Sequence, residues 1–190
     1  MIKTDQDDYT PPDIKLLPGD IFCSRNPMWL GIAINAVQRF WDVDNQCDYG
    51  HAGIITGVFG NTLEALWTVK AQNVWRAYDS PDRGGLLIGR NQNMTYDKFL
   101  AGMEAVKVYK GNPYPLWRLF LHLIPPLGKY LSTGKFLVCS ELTAKFLVGA
   151  GELNFYKGVT PDYLQDMIEH WDEWDIVYEK ERRDVNNCNA

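Results

Sequence analysis

The spacing of apolar and polar positions changes several times along the chain, and each change predicts an element. Leu16 to Ser24 (LLPGDIFCS) reads as a Pro-Gly turn followed by a short apolar strand. From Pro27 to Trp41 the apolar residues Trp29, Ile32, Ala33, Ala36, Val37 and Phe40 recur at helical spacing and form one face, with Pro27 suited to the first turn. His51 to Phe59 is strand-like, Gly60-Asn61 is turn material, and Thr62 to Val69 is a second strand, so the three predict a hairpin. Residues 71–94 are less regular, with a strand around Gly85–Gly89. Thr95 caps a helix that runs to Val106. Residues 111–134 form a connection rich in Pro, Gly and aromatics. Lys135 to Val148 is a helix, or an extended lead-in followed by one, with Leu142, Phe146 and Ala150 along its apolar stripe. Thr160-Pro161-Asp162 starts a helix to about His170: a capping hydroxyl, a proline at the first position and an acid in the first turn. Trp174 to Tyr178 closes the pattern as a strand. Helices alternating with antiparallel strands predict an α+β domain over residues 14–178, after a polar leader at 1–13 and before a polar tail at 179–190.

Composition narrows the function. The 190 residues are 46% hydrophobic and 23% charged, enough apolar material for a packed core. With 19 basic against 24 acidic residues the net charge is −5, which disfavours a broad nucleic-acid surface. The N-terminus lacks the apolar core of a secretory signal, and no run of 18 apolar residues predicts a transmembrane helix. A cytoplasmic protein with its cysteines as thiols is expected. Cys23, Cys47, Cys139 and Cys188 form no zinc-like spacing with each other or with His, so neither a metal nor another cofactor is expected.

Three residues can carry chemistry. Cys139 follows the apolar run Phe136-Leu137-Val138 and precedes Ser140-Glu141-Leu142, which places it near a helix N-terminus. Unpaired backbone N–H groups and the helix dipole favour a thiolate there, although a small buried core residue is the commoner fate of such a cysteine. His51 stands at the mouth of a strand whose alternation puts Gly53, Ile55 and Gly57 on its face, and the glycines leave room for a close neighbour. A histidine bonded only to backbone fits the same position. Glu64 shares the face of His51 across the turn, but a flat ladder offsets the two by four to six residues, roughly 13–20 Å. A direct contact then needs strong twist or a bulge. Otherwise Thr68 or Gln72 orients the imidazole, and Glu64 reaches solvent. A thiol needs a base and an imidazole needs a partner to set its tautomer, and Cys139, His51 and Glu64 supply those parts. His122 and His170 read as structural or surface residues.

Pro18-Gly19-Asp20-Ile21-Phe22, Gly50-His51-Ala52-Gly53-Ile54-Ile55, Leu63-Glu64-Ala65, Val138-Cys139-Ser140-Glu141-Leu142 and Val159-Thr160-Pro161-Asp162-Tyr163-Leu164 stand in an order that resembles the circularly permuted NlpC/P60 papain-like hydrolases, the YiiX/YaeF-like group. The resemblance covers about residues 14–178. It implies a papain-like α+β fold, with a small antiparallel sheet or half-barrel packed against the helix that bears the cysteine. It also implies Cys139 as nucleophile, His51 as general base and then acid, and Glu64 as the orienting residue. Its 13-residue separation between His51 and Glu64 suits a hairpin that brings them together.

The activity so implied is thiol hydrolysis of an amide or ester bond in a peptide-like or acyl-lipid substrate. A papain-like binding module without catalysis is one alternative. An acyltransferase with the same Cys-His chemistry, as in proteins related to lecithin:retinol acyltransferase, is another. The backbone N–H of Cys139 is one expected oxyanion donor, and Tyr49 or a polar group near Asp20–Ser24 the second. Tyr114, Trp117 and the apolar residues as far as Leu127 wall an acyl-binding groove, touch a membrane surface as a peripheral contact, or form a core helix.

Overall fold

The structure, a computed structural model, describes residues 12–25, 49–66, 68–79, 85–113 and 137–180. Its centre is a six-stranded, wholly antiparallel sheet in the order β4-β3-β2-β1-β5-β6. The strands are β1 (Ile21–Ser24), β2 (His51–Ile55), β3 (Asn61–Ala65), β4 (Val69–Asn73), β5 (Leu86–Asn91) and β6 (Trp174–Lys180). The helices are α1 (Val74–Tyr78), α2 (Tyr96–Lys107), α3 (Cys139–Gly149) and α4 (Pro161–His170). The α+β expectation and the antiparallel sheet packed on helices are both observed.

Alternation along the strands sorts the side chains into two cores. Cys23, Ala52, Ile54, Leu63, Ala65 and Leu87 face α3 and α4 and join Leu142, Phe146, Leu164 and Ile168 in one cluster. Phe22, Ile55, Leu86 and Ile88 point the other way and meet Leu16, Val74, Trp75 and Tyr78. A strand covered on both faces reads as an unbroken apolar run, which is how β1 and β2 appear in the sequence. Each fully buried Leu, Ile or Phe contributes about 1.5–3 kcal/mol over its exposed state.

The helix starts follow their capping chemistry. Thr95 Oγ1 accepts from the Lys98 N–H at 3.3 Å, and Thr160 Oγ1 from the Tyr163 N–H at 3.1 Å. Helix α3 starts at Cys139, with Val138 extended before it, so an extended lead-in precedes the helix. It has no side-chain cap, and its first backbone bond runs from the Leu142 N–H to the Val138 carbonyl at 2.9 Å.

Several boundaries differ from the expectation. The second hairpin strand ends at Ala65, and β4 begins at Val69 after the Leu66 N–H turns back to the Thr68 carbonyl at 3.1 Å. Nothing in Leu66-Trp67-Thr68 advertises a reversal, because no Gly, Pro or Asn stands there. The stretch read as less regular holds most of β4 and the short α1 capped by Asn73, while β5 stands where a strand around Gly85–Gly89 is expected. Strand β6 runs two residues past Tyr178 to Lys180, because Lys180 pairs with Leu86 and its Nζ reaches the Asp79 carboxylate at 2.8 Å. The expected helix at Pro27–Trp41, the aromatic connection from Tyr114 onward, His122, Cys47, Cys188 and most of the leader and tail lie outside the described residues.

Candidate active site

Where β2 and β3 part, the thiol, the imidazole and the carboxylate come together. The ladder between these strands holds at Ile55↔Thr62 and Ile54↔Leu63 and is not continued to His51. One further step of that register sets Gly53 across from Glu64, so His51 and Glu64 stand on a diagonal, two residues apart. The expected offset of four to six residues is too large. The hairpin turn is the four-residue Gly57–Gly60, entered where the Thr56 N–H meets the Asn61 carbonyl at 2.7 Å. Strand β2 therefore ends before Gly57, which lies in the turn and not on the His51 face.

Gly53 makes the diagonal close. A Cβ there would stand 2.5 Å from the Phe22 ring and 3.1 Å from Glu64 Cβ. Without one, Phe22 packs into the gap with its ring 6.0 Å from that of His51.

His51 Nε2 lies 2.7 Å from Glu64 Oε2. The Cys139 thiol shares a second hydrogen bond with the same imidazole. The order in space is Cys139, His51, Glu64. All three are buried, at 6%, 3% and 0% exposure. Glu64 thus does not reach solvent, and the imidazole has no need of Thr68 or Gln72.

Glu64 carries more donors than the sequence reading supplied. The Tyr78 hydroxyl donates to Oε2, and Thr62 Oγ1 donates to Oε1 at 2.7 Å. Burial pushes this carboxyl up, but the bonds from His51, Tyr78 and Thr62 more than offset that and hold it below its ordinary 4.5. Thr62 was legible as the residue two before Glu64, on the same face. Tyr78 was hidden in the stretch read as irregular.

Similar means lower the Cys139 thiol. Burial alone would raise the Cys139 thiol; the imidazolium beside it and the backbone N–H groups of Ala52 and Ser140 lower it below 9.0. Ala52 can donate because β3 has left its side of the ladder. Ser140 can donate because the first N–H groups of a helix have no intrahelical partner. For His51, burial works against the charge, yet Cys139 and Glu64 together raise it from 6.5 to about 10. Both shifts are in the direction of a thiolate–imidazolium pair backed by a carboxylate.

Tyr49 is buried in the core cluster facing α3 and α4, and burial pushes its hydroxyl up. Ser24 lies directly across from His51 on β1, so both point to one face of the sheet, and its buried Oγ has no hydrogen-bond partner. Tyr114 and Trp117 lie outside the described residues.

No protein-family model matches the sequence, and no curated protein matches it. A solved structure does match in three dimensions: the crystal structure of the metalloprotein YiiX from Escherichia coli O157:H7. It is 14% identical, superposes with a TM-score of 0.58, and the match covers 88% of this chain and 99% of that one. The fold is YiiX-like. The description of YiiX as a metalloprotein prompts a test of the trio as a ligand set. The ligand atoms of Cys139, His51 and Glu64 are not among those that lie within 4.8 Å of one another. Among the described residues, the group of three whose ligand atoms lie within 4.8 Å of one another is Asp166, Glu169 and His170, on the outside of α4. Within the YiiX-like fold the three side chains stand in the order Cys139, His51, Glu64. Among the described residues no helix is long and apolar enough to cross a membrane.

Proposed function

We propose that the chain is a thiol hydrolase of the circularly permuted NlpC/P60 papain-like kind, cleaving an amide or ester bond through an acyl-enzyme at Cys139. The observation that carries this reading is the buried relay of Cys139, His51 and Glu64, with a thiol lowered and an imidazole raised from their ordinary values. A cysteine kept only for packing needs no such partner, and burial would push its thiol up, as it does for Cys23.

In this mechanism the Cys139 thiolate attacks the substrate carbonyl, and the oxyanion accepts from the Cys139 N–H at the uncapped start of α3. The tetrahedral intermediate collapses, the C–N or C–O bond breaks, and His51 gives its proton to the departing amine or alcohol. A thioester remains on Cys139. Water then attacks the thioester while neutral His51 takes its proton, and the thiolate leaves with the acid as second product. Glu64 stays ionised throughout and holds the imidazole by Nε2. The substrates in view are a peptide-like amide and an acyl-lipid ester.

The test is to trap the intermediate. Incubation with an activated acyl ester should add one acyl group to Cys139, seen by mass spectrometry, followed by release to water. The adduct and turnover should vanish in Cys139→Ala and turnover should vanish in His51→Ala, with the folds of both retained. Normal turnover by either variant overturns the assignment. Transfer to an added amine or lipid hydroxyl in preference to water would mark an acyltransferase.

A further inference from the structure

Helix α1 is only five residues long, yet it crosses the face of the sheet opposite α3 and is fixed at both ends. At its start the Asn73 side chain accepts from the Arg76 N–H at 3.2 Å and donates to the Phe59 carbonyl at 2.8 Å. Just past its end, buried Asp79 accepts from the Tyr178 hydroxyl at 2.9 Å and from Lys180 Nζ at 2.8 Å, both on β6. Lys180 Nζ also meets the Asp79 backbone carbonyl at 2.8 Å. The segment therefore runs as a strap from the end of β4 to the far edge strand β6, its Val74, Trp75 and Tyr78 in one cluster with Phe22 of β1 and Ile55 of β2.

Tyr78 is the last residue of that strap. Its ring lies 5.6 Å from the His51 ring and 5.3 Å from that of Phe22, and its hydroxyl donates to the same Glu64 oxygen that meets His51. Thr62 holds the other oxygen. Between them the two hydroxyls fix the carboxyl plane, which a lone bond to His51 would leave free to rotate.

We propose that Tyr78 is a positioning residue of the Cys139 site, its hydroxyl locking the Glu64 carboxylate onto His51, and that α1 is the strap that delivers it. This rests on the reading of Cys139 and His51 as a nucleophile–base pair. Tyr78 acts through Glu64. Without its hydroxyl Glu64 is a less stable buried carboxylate, free to turn from His51, and the imidazolium loses part of its counter-charge. The thiolate opposite is then less favoured. The ionisable groups of this cluster are His51 on β2, Glu64 on β3, Cys139 on α3 and Tyr78 itself, and Cys23, on the opposite face of β1, interacts with Cys139.

The experiment is the pH profile of Cys139 alkylation by iodoacetamide, read by mass spectrometry on the full chain, in wild type, Tyr78→Phe and His51→Ala. Thermal midpoints are taken alongside. The phenylalanine keeps the ring contacts and removes one hydrogen bond. The wild-type profile should lie below that of an ordinary thiol. The Tyr78→Phe profile should move to higher pH by about one unit, in a protein that remains folded. A merely structural tyrosine would change the thermal midpoint and leave the profile in place. If Tyr78→Phe does not fold, 3-fluorotyrosine at position 78, a more acidic and stronger donor, should move the profile the opposite way. A Tyr78→Phe profile that coincides with wild type or moves toward acid overturns the inference, as does an unmoved fluorotyrosine profile. If wild type itself titrates as an ordinary thiol and His51→Ala does not alter it, the nucleophile–base reading has failed and Tyr78 fails with it.

Discussion

The Glu64 carboxylate reaches His51 on a diagonal across β2 and β3, two residues out of register, with Gly53 standing where a side chain would block the approach. Diagonal neighbours on an antiparallel pair lie about 7–8 Å apart at the backbone, a span that an imidazole and a glutamate bridge easily. The contact therefore rests on a glycine, a four-residue turn and a parting of the strands.

Gly53→Ala tests the geometry. Its methyl group would meet the Phe22 ring at 2.5 Å and crowd Glu64 Cβ at 3.1 Å. Overpacking of this kind costs about 1–3 kcal/mol. Urea unfolding should show that loss, and iodoacetamide labelling of Cys139 at neutral pH should slow. Unchanged values of both would mean that the glycine is dispensable.

Glu64→Gln keeps the shape and removes the charge. The imidazolium then loses its counter-ion, and Cys139 loses part of the partner that keeps it ionised. Alkylation near neutral pH should fall about tenfold, equivalent to roughly one pKa unit. Wild-type rates in this variant would show that the carboxylate charge is irrelevant to the thiol.

Thr62→Val removes the donor to Oε1 while preserving volume. It leaves a buried carboxylate oxygen without a partner, at a cost of about 1–3 kcal/mol. Chemical denaturation should report the loss, and the His51 ring should be held less firmly, seen as broader imidazole resonances. A fully stable variant with sharp resonances would contradict the role given to Thr62.

The pH dependence of stability has two limbs with opposite signs. Glu64 is held below 4.5 in the folded chain, so its contribution is present above pH 4.5 and is lost as pH falls through the folded value. His51 is raised from 6.5 to about 10, so its contribution is complete below 6.5 and is lost as pH rises through about 10. The difference in thermal midpoint between wild type and Glu64→Gln should shrink on acidification. That between wild type and His51→Ala should shrink on the alkaline side. Differences that stay constant across both ranges would show that neither group carries the charge assigned to it.

Much of this arrangement was legible in local chemistry. Capping threonines announced α2 and α4, and the apolar run ending at Val138 announced the position of Cys139 at a helix start. The reversal at Leu66–Thr68 was not legible, because it is made without Gly, Pro or Asn and is fixed by pairing of β4 with β3. That pairing sets up α1 and so the placement of Tyr78. A five-residue helix has no apolar period to read, and its position depends on Asp79 meeting Tyr178 and Lys180 about a hundred residues later. Long-range hydrogen bonds of this kind leave no local signature. The sequence puts His51 and Glu64 too far apart for a related reason, since the turn at Gly57–Gly60 is two residues longer than Gly60-Asn61 and begins three residues earlier.

The ionisation of Cys139 is the quantity on which the whole account turns. Its most direct measure is the pH titration of the ¹³Cβ resonance of Cys139, labelled in the wild-type chain and in His51→Ala. The account predicts a thiol that ionises below the ordinary 9.0 in wild type and above it once the imidazole is gone and burial acts alone. A Cys139 that titrates at the same pH in both proteins would contradict it.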